Sequence, residues 1–270
     1  MSQLHPLTAL SFLIDAGADE AIELEPMDRL RRLEPPASSS AAPMRVPNRD
    51  IANGASPMPA RLEQTAPPSQ DAAAQSARAL AQAAPDLEAL KAAMAGFNGC
   101  ALSKTATQLV FADGTPGADL MIIGEAPGRD EDLEGRPFVG RSGQLLDQML
   151  AAISLNRTNV YIANVVPWRP PGNRKPTAAE AAICRPFLER QIILARPKLI
   201  LLLGGAAVSG VLGREEGIMR LRGQFYDLQV DNLVIPAFAT FHPAFLLRAS
   251  AEKRLAWRDF LTLKARLNSL

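Results

Sequence analysis

Cysteine and histidine are scarce: 270 residues contain two of each. Two cysteines build no disulfide framework, and neither they nor the histidines show the spacing of a zinc site. Such sparing use of thiols fits a reducing cytosol. Long hydrophobic runs are also missing. The longest, Leu199 to Leu212, spans about 14 residues and includes Ser209, short of the roughly 20 that a membrane span requires. Leu7 to Ile14 has no basic flank and runs into Asp15, Asp19 and Glu20, so it makes a poor secretory signal. A cytoplasmic protein with no membrane contact is therefore expected. There is no Gly-x-Ser-x-Gly elbow and no Walker lysine after a glycine loop, which disfavours serine-hydrolase and phosphate-loop chemistry. A formal net charge of +1 gives no strong field of either sign. The charges are unevenly placed, with carboxylates in excess over residues 1–84 and cations in excess over 85–270.

What is present falls into unlike regions. The chain is 47% hydrophobic and 21% charged, as in globular proteins, yet it has 22 prolines and only 5% aromatics, so part of it is expected not to pack. Residues 1–34 predict an N-terminal segment with a short helix over Leu7 to Ala16. Residues 35–84, rich in Pro, Ala and Ser, read as a flexible, disordered linker. Residues 85–270 read as the folded domain, entered through a helix over Asp86 to Phe97. Four apolar runs predict buried parallel strands: Asp119 to Ile123, Val160 to Ala163, Lys198 to Leu203 and Leu233 to Phe238. Helical patterns lie between and after them, over Gly143 to Leu155, Thr177 to Ala195, Ala206 to Leu212 and Ala251 to Leu267. Thr177 and Glu180 make a capping box, and Pro186 is expected to kink or interrupt the helix they start. The alternation predicts an α/β fold with a central four-stranded parallel sheet covered on both faces.

Each predicted strand is followed at once by residues that packing alone would not select. Gly-Glu-Ala-Pro-Gly (124–128) follows the first, Asn164 the second, Gly204-Gly205 the third and Thr240-Phe241-His242-Pro243 the fourth. Ligands of open α/β sheets bind outside the carboxyl ends of the strands, so these clusters should meet at one crevice. It would hold a carboxylate (Glu125), an aromatic ring (Phe138), an amide (Asn164) and an imidazole (His242). Arg136, Arg141, Arg169, Arg174, Lys175, Arg222 and Arg248 are expected around it. A flat apolar face, an amide that can read a heterocycle edge, and flanking cations suit a planar base with its phosphates.

These segments, GEAPGRDEDLEGRPFVGRSGQLLDQML, VYIANVVPWRPPGNRKPTAAE and HPAFLLR, resemble the family 4 uracil-DNA glycosylases over about residues 95 to 265. The resemblance implies a three-layer α/β/α sandwich that flips deoxyuridine out of DNA, hydrolyses its N-glycosidic bond and leaves an abasic site. It places Ala126, Phe138, Asn164 and His242 in the uracil pocket, with Phe138 stacking on the base and Asn164 reading its O4 and N3 edge. His242 would contact O2 as charge develops on the leaving base. Glu125 is the implied water-orienting group, and Glu131 and Asp132 are nearby carboxylates that could share that work. On the DNA, the resemblance implies Leu246 or Leu247 as the wedge that fills the flipped base's gap. Arg141, Ser142, Arg174 and Arg248 are the implied phosphate-side contacts.

The match also departs from the family pattern. Family 4 members usually hold a [4Fe-4S] cluster on four cysteines, the first pair spaced Cys-x2-Cys and the last pair about sixteen residues apart. Those positions here read Phe97, Cys100, Trp168 and Cys184. A variant branch with no iron-sulfur cluster, no metal and no other cofactor is therefore expected, with the two aromatics filling the vacated volume; the other reading of Trp168 is an exposed ring stacking on DNA. Ala126 and Gly128 stand where the best-known branch of the superfamily has a water-activating aspartate and a thymine-excluding tyrosine, absences that family 4 shares. A monomer acting on uracil-containing DNA is expected. The alternative reading is a protein that binds uracil-DNA or abasic sites without turnover.

Overall fold

The computed structural model describes residues 69–270. Helix α1 is Gln70–Ala83, α2 Leu87–Ala95, α3 Arg129–Glu134, α4 Arg141–Ala151, α5 Ala178–Ala195, α6 Gly205–Leu212, α7 Ile218–Leu221, α8 Pro243–Arg248 and α9 Lys253–Leu267. The strands are β1 Asp113–Gly114, β2 Leu120–Gly124, β3 Val160–Asn164, β4 Leu199–Leu203, β5 Phe225–Val230 and β6 Leu233–Thr240. They form one six-stranded sheet in the order β1-β3-β2-β4-β6-β5.

The four predicted strands are β2, β3, β4 and β6, and they pair in parallel. The sheet as a whole is mixed, however, because β1 and β5 add antiparallel edges that the four-strand expectation lacked. Residues of β2, β3 and β4 are buried throughout, and their side chains divide with the two-residue period of a strand. Met121, Ile123, Tyr161, Ala163, Ile200 and Leu202 face one core with α1, α2, α5 and α6. Leu120, Ile122, Val160, Ile162, Leu199 and Leu201 face a second with Leu146 and Leu150 of α4 and Phe260 and Leu263 of α9. Each face of the sheet thus carries its own helical cover. Among the described residues no helix is long and apolar enough to cross a membrane.

Two expectations about the helices change. Helix α5 runs unbroken through Pro186. Ile183, Cys184, Phe187 and Leu188 are buried around that turn, and this packing outweighs the roughly 3 kcal/mol that an internal proline costs. The assigned linker, residues 35–84, ends in helix: α1 is capped by Ser69, whose hydroxyl accepts from Ala72 N–H at 3.3 Å. It buries Ala73, Ala77 and Ala81 at the i, i+4, i+8 spacing of one face. Arg190 of α5 donates to the Ala84 carbonyl from both Nε and Nη2, at 3.0 and 2.6 Å. Alanine methyls are small enough to leave no strong hydrophobic pattern, yet they let two helices pack closely. The predicted helix at Leu7 to Ala16, and the rest of the assigned linker, lie outside the described residues.

A chain starting at Pro85 should melt below one starting at Ser69. Losing four buried alanines and the Arg190 bonds removes on the order of 2 kcal/mol, or about 4–8 °C for a chain of this size. Equal melting temperatures by differential scanning calorimetry would show that α1 adds nothing to the fold.

Candidate active site

Strand register brings the site together. Gly124 at the end of β2 sits opposite Asn164 at the end of β3. On the other side of β2, β4 leads into Gly204, whose N–H donates to the Thr240 carbonyl at 2.8 Å, and β6 delivers His242 two residues later. Two glycines make the close approaches possible. A Cβ on Gly124 would stand 2.5 Å from both Asn164 Oδ1 and the Phe138 ring, and one on Gly204 would stand 2.9 Å from His242 Cβ. Gly204 also has φ +87°, a left-handed conformation that glycine adopts without steric cost. The rings of Phe138 and His242 lie 5.6 Å apart at 30°. Phe138, Asn164 and His242, from three separate segments, are thereby neighbours.

Their chemistry differs from that of ordinary core residues. Asn164 is 6% exposed, and its Oδ1 is a buried side-chain oxygen without a hydrogen-bond partner among the described residues. An unfilled buried acceptor costs about 1–3 kcal/mol. His242 caps α8, its Nδ1 accepting from Ala244 N–H at 3.1 Å. Burial of the ring, with a smaller contribution from the Arg248 charge, lowers its pKa to about 4. The imidazole is therefore neutral at physiological pH, and because Nδ1 accepts, the proton sits on Nε2, which is left as a donor. Phe138 has φ 56°, a conformation that costs a non-glycine residue about 1–3 kcal/mol.

The other sequence-derived residues divide between this neighbourhood and elsewhere. Ala126 is partly buried against the larger core. Glu125 is half-buried and lines a neighbouring cavity of about 330 Å³ with Val165, Lys175, Ala206 and Ser209; Phe138, Asn164 and His242 do not line it. Burial raises the Glu125 pKa, and the Lys175 charge opposes that shift. Glu131 and Asp132 are already engaged: Glu131 accepts from the backbone N–H of Gly128, Val139 and Gly140, and Asp132 from the N–H and side-chain hydroxyl of Thr107 at 2.8 Å each. Arg141 is exposed and Ser142 partly buried in the first turn of α4. Arg174 is exposed and held by both oxygens of Glu180, at 2.9 and 2.6 Å, which lowers the Glu180 pKa to about 2. Of the two wedge candidates, Leu246 is 1% exposed and Leu247 42%. Leu246 packs with Phe241 and Ala256, whereas Leu247 and Arg248 are the exposed residues of α8. Arg222 lies inward, paired with buried Asp259, and is not part of a crevice rim.

Sequence reasoning missed Arg157, which donates to the carbonyls of Pro137 and Phe138. Its partners are distant in the chain and leave no local motif. Phe97, Cys100, Trp168 and Cys184 all belong to the core around α5. Phe97 stacks on Trp168 at 6.3 Å and meets Phe187 edge-on at 5.1 Å. At 3% exposure Trp168 is a core residue and offers no surface for DNA. Both cysteines are buried free thiols. Each thiol shifts the other: the neighbouring Cys184 lowers the Cys100 pKa to about 7, and Cys100 together with burial raises that of Cys184.

Comparison with known proteins shows the family of the chain. Residues 111–261 match the uracil DNA glycosylase superfamily. A type-4 uracil-DNA glycosylase of Sulfurisphaera tokodaii is 38% identical over 183 residues, covering 66% of this chain and 83% of that protein. Type-4 uracil-DNA glycosylases of Archaeoglobus fulgidus and Thermotoga maritima are 42% and 43% identical, over 55% of this chain and 76% and 77% of theirs. The kinship corrects one expectation: type-4 relatives are iron-sulfur enzymes, which overturns the expectation of a chain without cofactor. Cys100 and Cys184 are the thiols that could take part in holding such a group. Two thiols do not supply the four ligands of a [4Fe-4S] centre, and the described residues contain no group of three or more His, Cys, Asp or Glu placed to bind a metal. With its match spanning more than half of the chain and its relatives covered over most of their length, the protein belongs to the uracil-DNA glycosylase superfamily, together with the type-4 enzymes.

Proposed function

We infer that this chain is a DNA repair enzyme that hydrolyses the N-glycosidic bond of deoxyuridine, releasing uracil and leaving an abasic site. The observation that best supports a uracil pocket at Asn164 is its orphaned acceptor. Uracil N3–H is the donor that Oδ1 lacks, and the Asn164 amide NH2 can donate to uracil O4. Cytosine reverses both groups, placing acceptor against acceptor and donor against donor. Phe138 offers an apolar ring for the base to stack on. His242 donates from Nε2 to uracil O2, where negative charge accumulates as the bond to C1′ breaks, and a donor placed in advance stabilises that charge most in the transition state. Glu125, at the end of β2 and raised in pKa by burial, is the carboxylate for orienting the water that adds to C1′.

On the DNA side, the proposed contacts are Arg141 and Ser142 at the start of α4, Arg174, and Leu247 with Arg248 on α8. The cap residue of α4 is Gly140, which has no side chain to fill the first-turn amides, and such amides favour a phosphate. Flipping a base costs a few kcal/mol. Exposed Leu247 fills the vacated space, while buried Leu246 anchors α8 beneath it. The proposed domain is a three-layer α/β/α glycosylase unit that includes α1. The chain is placed in a branch of family 4 with Phe97 and Trp168 at two of the four cysteine positions, acting as a cytoplasmic monomer.

Asn164→Asp replaces the O4 donor with a carboxylate oxygen. It should cut uracil excision at least about 100-fold while leaving affinity for undamaged duplex unchanged, measured by alkaline cleavage of a single-uracil oligonucleotide and by anisotropy. Undiminished excision would remove Asn164 from the pocket.

His242 should titrate near pH 4, against about 6.5 in the unfolded chain. Between those values the unfolded state binds a proton that the native state refuses. The stability held by neutral His242 is thus complete above pH 6.5 and lost as pH falls through 4. Long-range 1H–15N spectra, with His242→Gln to distinguish it from His5, should show the Nε2–H tautomer and an inflection near 4. An inflection near 6.5 would contradict a buried neutral imidazole.

A further inference from the structure

Phe138 can present its ring to a base only while its own backbone stays left-handed, and the structure shows what keeps it there. The peptide groups on both sides of Phe138 are taken by two charged side chains. Glu131 Oε1 accepts from Val139 N–H and from Gly140 N–H at 3.0 Å each, and its Oε2 accepts from Gly128 N–H at 3.0 Å. Arg157 Nη1 donates to the Pro137 carbonyl at 3.1 Å, and Nη2 donates to the Phe138 carbonyl. Arg157 is itself fixed by Asp113 at 2.6 Å and Asp147 at 2.8 Å. Beneath the turn, a Cβ on Gly143 would collide with the Phe138 carbonyl, so the first turn of α4 packs directly against that peptide.

We propose that Glu131 and Arg157 are positioning residues for uracil excision, gripping the Phe138 turn from its amide side and its carbonyl side so that the ring faces the base. The proposal rests on the uracil reading of Phe138 given above. An ordinary helix cap would explain only the bond from Glu131 to Gly128. Its bonds to Val139 and Gly140 reach eight and nine residues ahead and tie the loop after β2 to the Phe138 turn. Arg157 begins the short 3-10 turn that leads into β3, the strand that ends in Asn164. The stacking ring and the base-reading amide are therefore referenced to the same two strands. With three backbone donors on its carboxylate, Glu131 holds the turn and does not activate water. The Arg157 bonds span 10 to 44 residues, so the device is invisible to any local motif.

The test uses the full chain and two duplexes, one bearing non-hydrolysable 2′-fluoro-2′-deoxyuridine and one thymidine at the same position. Glu131→Ala should lower kcat roughly 100-fold, as expected when a reacting group is misplaced by about 1 Å. It should also abolish the preference for the uracil analogue, with affinity for the thymidine duplex unchanged. Glu131→Gln keeps one oxygen for Val139 and Gly140 and should recover most of kcat; Arg157→Lys, unable to fork to two carbonyls, should fall between wild type and Glu131→Ala. Should Glu131→Ala fail to fold, the Gln and Lys variants give the reading. A parallel loss of affinity for both duplexes, or wild-type kcat and preference in the Glu131 and Arg157 variants, would overturn the proposal. Phe138→Ala separates the two levels: if it keeps the preference for the analogue, the stacking role fails; if it alone loses that preference, only the grip fails.

Discussion

Asn164 ends a strand with no exposed residue, and among the described residues no donor reaches the oxygen of its amide. Much of the neighbouring structure is arranged to keep it so. Gly124 across the register gives the amide room. The Phe138 ring borders the same space. A buried acceptor left open costs stability, and it is held in place by two cores that fix β3 from both faces of the sheet. A planar ligand with an N–H edge removes that cost on binding, whereas one with an acceptor there does not. The proposed discrimination against cytosine would rest on this unfilled acceptor.

The polar anchors lie one layer away from the site and keep its parts in register. Thr240, the last residue of β6, donates from its hydroxyl to Asp259 Oδ2 at 2.7 Å in α9, and Arg222 Nε donates to the same oxygen at 2.9 Å. Burial raises the Asp259 pKa, and the Thr240 and Arg222 bonds oppose that shift. The network ties the strand that carries His242 to a helix on one face of the sheet, two residues before the imidazole. His242 in turn starts α8, so the imidazole and the exposed Leu247 belong to one short helical unit.

How much of this could be read from the sequence depended on how local the physics is. The four central strands were legible because strands buried on both faces read as continuous apolar runs. β5 was not, since only Leu228 and Val230 of its residues are buried, and two-residue β1 carries no pattern at all. Helix α1 was hidden by its alanines, whose composition matches a linker although their spacing matches a helix face. That Asn164, Phe138 and His242 would be neighbours was legible because they stand at strand ends or in short local motifs. The choice between Leu246 and Leu247 required knowing which side of α8 meets Phe241 and Ala256. Arg157 was missed because its four partners, Asp113, Pro137, Phe138 and Asp147, come from three separate segments of the chain. The cofactor expectation failed for a different reason: counting cysteines describes this chain's donors, while its kinship is with iron-sulfur enzymes.

The central claim is that the unfilled oxygen of Asn164 is the reading head for uracil. A crystal structure of the protein soaked with free uracil tests it directly. The account predicts the base lying on Phe138, with N3–H donating to Asn164 Oδ1 and His242 Nε2 donating to O2. Uracil seated instead in the cavity beside Glu125 and Lys175, with Asn164 Oδ1 still unpartnered, would contradict it.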